Sequence, residues 1–190
     1  MRVYVMIVSP AGERCGPEMK EQGSVRMKEF VTYRLTGRGV WGYEFFDEER
    51  NQIGFVRNGL SSSEPVLIEG PGISWYSLFG MDHTIVPGTG RRVKDNQNGQ
   101  EAFRIIFWQP GLYEVRTAAG ESVQAEVREN AYLFGPPQMP ATALTQRISE
   151  AEWIPSTGYE MEPYFRTVLY EEVSPAFLMM ALSFPALRFY

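Results

Sequence analysis

Apolar and polar residues alternate with a period of two along most of this chain. The runs are short and separated by turn residues, the signature of half-buried strands. Arg2–Val8 is apolar and β-branched and reads as a strand. Pro10–Gly23 is polar and turn-rich, with a short helix near Glu18–Gln22. Val25–Leu35 alternates as a strand does, and Tyr43–Phe46 and Ile53–Val56 flank the polar turn Asp47–Gln52 in a hairpin pattern. Val66–Glu69 is a further short strand, whereas the aromatic stretch Ile73–Gly80 fits strand or loop. Gly80–Gly99 is long and polar and reads as an exposed turn region. The pattern is clearest beyond it: Ala102–Trp108, Leu112–Thr117 and Ser122–Glu129, joined by QPG and AAGE turns, predict an antiparallel meander. YLFGPPQMPATALTQ, with three prolines, reads as a connector, and Tyr164–Tyr170 is the last strand. The shared order of aromatic strand, polar turn and apolar return gives a faint internal repeat, which is common hairpin grammar.

At Ser174 the period changes. Ser174 is a good N-cap and Pro175 a good first helical residue, with Glu171 and Glu172 near the positive end of the helix dipole. Ala176–Phe184 carries no charge, and Pro185 disfavours helix at Phe184, so the expected helix covers 174–184. At about ten residues, roughly 15 Å, it is half the about 20 apolar residues a membrane span needs. Ser183 is the only polar side chain in that run, so no polar face exists to lie on a membrane surface. A helix that is apolar all round must be surrounded. In a chain of strands the natural enclosure is a closed sheet, which predicts a mainly β fold: a closed antiparallel barrel around a buried C-terminal helix. A helix laid across one open sheet is the alternative. Phe177, Met179, Met180 and Phe184 then belong to the core, and Leu178→Asp is expected to bury an unpaired charge.

The stretch VLYEEVSPAFLMMALSFPALRFY resembles the end of tubby C-terminal-domain-like proteins, the superfamily that includes the phospholipid scramblases and LURP-one-related proteins. YEFFDEERNQIGFV, DNQNGQEAFRIIF and YEVRTAAGESVQAEV are similar to its hairpins, although the first has Asn51-Gln52 where a turn glycine is usual. The resemblance covers Met27–Tyr190. It implies a barrel of about twelve strands around a central helix. It implies less about activity, since the superfamily holds lipid binders and proposed lipid movers.

A length of 190 residues fits one domain, 1–190, and the hydrophobic and charged fractions of 44% and 22% are those of a globular protein. The net charge of −5 disfavours general nucleic-acid binding and bulk adsorption to anionic membranes. The single cysteine, Cys15, builds neither an internal disulfide nor a metal cluster. Val3–Val8 is too short for a signal-peptide core, and the expected compartment is the cytoplasm.

Few residues suggest chemistry. His83 is the one histidine; its neighbour Asp82 would point to the opposite face of a strand, so no acid–base pair or triad assembles from sequence. Gly88-Thr89-Gly90 followed by Arg91, Arg92 and Lys94 is the best basic cluster of an acidic chain, and backbone amides with basic side chains suit an anion. It matches neither the phosphate-loop spacing nor a dinucleotide fold, and a solvated turn is its ordinary reading. Asp47, Glu48 and Glu49 lack the spacing of a calcium loop and read as a hairpin tip. Gly39-Val40-Trp41 echoes the G-x-W of lipocalins in a single tripeptide, and Cys15 beside Arg14 is an incidental thiol.

Three functional classes follow. The first is a non-catalytic intracellular binding or scaffold protein of tubby-like fold. It would use no cofactor and would recognise an anionic lipid headgroup through Gly88, Gly90, Arg91, Arg92 and Lys94, or a protein partner. The second is a calycin-like barrel carrying a small apolar ligand, which requires an interior empty of protein. The third is an enzyme, with Glu114, Glu126 or Glu160 as acid or base.

Overall fold

The computed structural model describes residues 27–36, 41–58, 65–78, 87–88, 90–148 and 160–188. They form twelve strands and then a helix. The strands are β1 (Lys28–Thr36), β2 (Trp41–Phe46), β3 (Gln52–Asn58), β4 (Val66–Gly70), β5 (Ile73–Ser77) and β6 (Gly90–Asp95). They continue with β7 (Glu101–Gln109), β8 (Leu112–Thr117), β9 (Ser122–Arg128), β10 (Ala131–Gly135), β11 (Ala143–Arg147) and β12 (Glu160–Leu169), and helix α1 is Pro175–Arg188. Each strand pairs antiparallel with its sequence neighbours, and β1 pairs with β12 from Lys28↔Leu169 to Thr36↔Glu160, so the sheet closes into a barrel. The expected strand Arg2–Val8 and the short helix near Glu18–Gln22 lie outside the described residues.

Period-two alternation decides which side chains enter the barrel. Tyr43 and Phe45 of β2, Val66 and Ile68 of β4, Phe103 and Ile105 of β7, and Tyr132 and Phe134 of β10 are buried in one core cluster. An eight-stranded barrel is about wide enough to be filled by its own side chains. Twelve strands leave a wider lumen, and α1 fills it. Met179, Met180, Ala181, Leu182, Phe184, Ala186 and Leu187 are all at most 4% exposed. Phe184 meets Tyr113 of β8 and both Tyr132 and Phe134 of β10 edge-on, with centroids 5.3–5.9 Å apart. Met179 lies against Gly54 of β3 and Gly70 of β4, where a Cβ on Gly70 would come within 2.7 Å of its sulfur. One helix reaching β3, β4, β8 and β10 must be inside the barrel, not across one face of it.

The helix differs from expectation in its end. It starts as predicted, with Ser174 Oγ accepting the Phe177 N–H at 3.1 Å. It then runs through Pro185 to Arg188 rather than stopping at Phe184. Pro185 has no N–H for the Ala181 carbonyl, which in an exposed helix costs about 3 kcal/mol. Here continuation buries Ala186 and Leu187, and Arg91 Nη1 donates to the Leu187 carbonyl at 2.8 Å. Burying a leucine side chain contributes about 1.5–3 kcal/mol and a charge-assisted hydrogen bond a similar amount, which offsets the loss. Leu178, expected in the core, is only half-buried at the barrel mouth, so the severe effect of a buried charge belongs to Leu182 instead. Among the described residues no helix is long and apolar enough to cross a membrane.

Candidate functional site

Strand alternation divides the basic segment of the sequence. Gly88 is an exposed turn residue at φ 86°, its N–H donating to the Phe107 carbonyl at 2.8 Å. Gly90–Asp95 is not a turn but strand β6. Gly90 sits where a Cβ would run into the Ile105 carbonyl of β7. Val93 is fully buried, and Arg91 shares its inward side. Arg91 Nε donates to Ser77 Oγ at 2.8 Å, and Ser77 Oγ in turn donates to the Arg92 carbonyl at 2.9 Å. Together with its bond to Leu187, this commits Arg91 to closing the C-terminal end of α1, where a cation is also favoured by the helix dipole. Arg92 and Lys94 take the outer face. The five residues therefore do not converge into one cradle. His83, Thr89 and Cys15 lie outside the described residues.

The outer face carries a second feature. The register places Arg92 of β6 opposite Arg104 of β7, and Arg104 opposite Arg116 of β8. Adjacent strands are about 4.8 Å apart, so the three guanidinium-bearing positions span roughly 10 Å across the sheet. Like charges directly opposite one another destabilise a sheet. Two carboxylates relieve the row: Glu101 lies 2.8 Å from Arg104 and 3.7 Å from Arg92, and Glu114 lies 2.8 Å from Arg116. With Lys94 on the same outer face of β6, the described residues put four cations beside these two carboxylates. The side chains of Arg92 and Arg116 remain more than half exposed. Each arginine has five N–H donors, so donors are left over for a further anion.

Glu114 organises this face. Its Oε1 accepts from Arg116 Nε at 3.1 Å, Arg116 Nη2 at 2.8 Å and Ser122 Oγ at 2.8 Å, while Oε2 accepts from Trp108 Nε1 at 3.1 Å. Burial pushes its carboxyl up, but these hydrogen bonds and the Arg116 charge outweigh it and hold the group below its ordinary value. Trp108 is left 44% exposed beside the cationic row, a large apolar ring at the surface.

Comparison with known proteins finds no match. No family model fits the chain, and neither a curated protein nor a solved structure is significantly similar to it.

Arg104 and Arg116 did not stand out in the sequence, where each is a lone arginine in an apolar strand. The signal for them is the hairpin itself: a QPG turn between Ala102–Trp108 and Leu112–Thr117 brings their middles together. The acidic tip behaves as its composition suggests. Asp47 Oδ1 accepts the N–H groups of Glu49 and Asn51 at 2.9 and 2.8 Å, tying the β2–β3 turn. Asn51 and Glu49 hydrogen bonds thus occupy carboxylates there, and among the described residues no group of three or more His, Cys, Asp or Glu side chains is placed to hold a metal ion.

Proposed function

We propose that the chain is a non-catalytic binding or scaffold protein of tubby-like fold that acts inside the cell from its outer surface. One observation carries this reading: α1 occupies the lumen, so recognition falls to the outside of the barrel. The same observation counts against a carrier of small apolar ligands, which needs that space empty. A barrel of twelve strands around a helix is the architecture that the tubby-like resemblance implied. The lone cysteine is consistent with a reducing compartment.

For the ligand we infer an anionic lipid headgroup on the face of β6–β8. Arg92, Arg104, Arg116 and Lys94 supply the donors, and exposed Trp108 suits the membrane–water interface. Flotation with vesicles containing a phosphoinositide or phosphatidylserine tests it. Binding to anionic and not to zwitterionic vesicles is expected, lost in Arg92→Gln/Arg104→Gln/Arg116→Gln with circular dichroism unchanged. Failure to float with every anionic vesicle, or an unaffected triple variant, overturns the headgroup reading.

A further inference from the structure

The end of the barrel opposite the Arg91–Leu187 bond, where α1 begins, has an open groove of about 660 Å³. Its floor is apolar: Ile53, Val173 and Leu178 are half-buried, and Met179 lies beneath them. Its rim is acidic: among the described residues that line it, Glu29, Asp47, Glu48, Glu49 and Glu172 stand against one cation, Lys28. Glu29 pairs with Arg166 at 2.9 Å, and Glu48 Oε1 accepts the Glu29 N–H at 2.9 Å, which fixes these two carboxylates along the rim. The volume is in the range of ordinary ligand sites, and an excess of carboxylates over half-exposed aliphatic side chains selects against anions.

We propose that this groove docks a segment of a partner protein in which basic residues flank an apolar side chain. The apolar side chain would lie on Leu178 and Ile53, and the basic groups would reach Glu48, Glu49 and Glu172. Charge complementarity argues for it: the rim is the reverse of the cationic β6–β8 face, so one molecule offers two surfaces of opposite sign to two different partners. The inference builds on the proposed binding or scaffold role, and gives that scaffold its protein-facing side.

The test uses the full chain and a fluorescent short peptide of alternating Leu and Arg, with alternating Leu and Glu, and alternating Ser and Arg, as comparators. Anisotropy is expected to show binding of the Leu/Arg peptide alone. Affinity is expected to weaken about tenfold in Glu48→Gln/Glu49→Gln/Glu172→Gln and to fall with added salt. Leu178→Ser is expected to weaken binding by a comparable factor without altering the salt dependence. Equal binding of the Leu/Glu peptide, or a triple variant that binds as tightly as the parent, overturns the proposal. So does binding that emerges only after residues 1–26 are removed, which would make the chain's own N-terminal segment the occupant. Self-association that the triple variant abolishes would assign the groove to a second copy and overturn it likewise. Vesicle flotation of the triple variant should be unchanged, so a failure here is separable from a failure of the headgroup reading.

Discussion

Phe184→Ala is the sharpest test of a helix held inside the barrel. Phe184 is fully buried, and its ring stands edge-on to Phe134 at 5.3 Å, Tyr113 at 5.6 Å and Tyr132 at 5.9 Å. Truncating a buried phenylalanine costs about 3–5 kcal/mol, and edge-to-face pairs add about 0.5–1.5 kcal/mol each beyond area, so the upper end applies. The cavity has little means of collapsing, because β8 and β10 are held in a closed sheet. The expected loss is about 4–5 kcal/mol against a total stability of about 5–15 kcal/mol, which lowers the melting temperature by roughly 10–20 °C. Urea unfolding followed by tryptophan fluorescence reads the change. Leu67→Ala, at a position 38% exposed on β4, is the comparator, with an expected loss below about 1 kcal/mol. Should Phe184→Ala cost no more than Leu67→Ala, the helix is not enclosed and the reasoning fails.

Three further outcomes follow from particular contacts. Arg91→Met should lower stability by about 2–3 kcal/mol, because it strips the Leu187 carbonyl and Ser77 of a partner; Arg92→Met, on the outer face, should stay within about 0.5 kcal/mol by thermal unfolding. Gly70→Ala should cost about 1–3 kcal/mol through collision with Met179, and Met179→Ala in the same chain should make the added methyl nearly neutral, as a double-mutant cycle by denaturant unfolding would read. Glu114 has a depressed folded-state pKa, so its contribution is present above the unfolded carboxylate value of about 4.3 and is lost as pH falls through the folded value. The gap in melting temperature between the parent and Glu114→Gln should therefore be open near neutrality and close in acid.

Alternation and turns made the meander legible: Leu112–Thr117 is the strand expected, and the neighbouring strands shift only at their ends. The helix was legible for a different reason, its lack of any polar face. Two strands were hidden in the proline-rich connector. The prolines are in the turn 136–140, and β10 and β11 lie on either side of it with only five residues each. Strand β6 was hidden because Arg91 points inward, and an inward charge breaks the apolar alternation. Its compensation, a helix carbonyl 96 residues away in sequence, has no local signature. The same applies to Pro185, whose place in the helix depends on surroundings that only the folded barrel supplies. The acid-rimmed groove combines residues from β1, β3, the β2–β3 turn and α1, and no single stretch of sequence announces it.

The seam between β1 and β12 has a consequence for biosynthesis. A chain leaving the ribosome would make β1 first and its partner only after ten other strands, with the helix that fills the lumen later still. Until residues 160–188 emerge, the nascent sheet has two unpaired edges and a hollow, greasy interior. Such long-range closure makes folding slow and exposes intermediates to aggregation. Synthesis of this protein should therefore lean on a chaperone that shelters those edges until the final segment arrives.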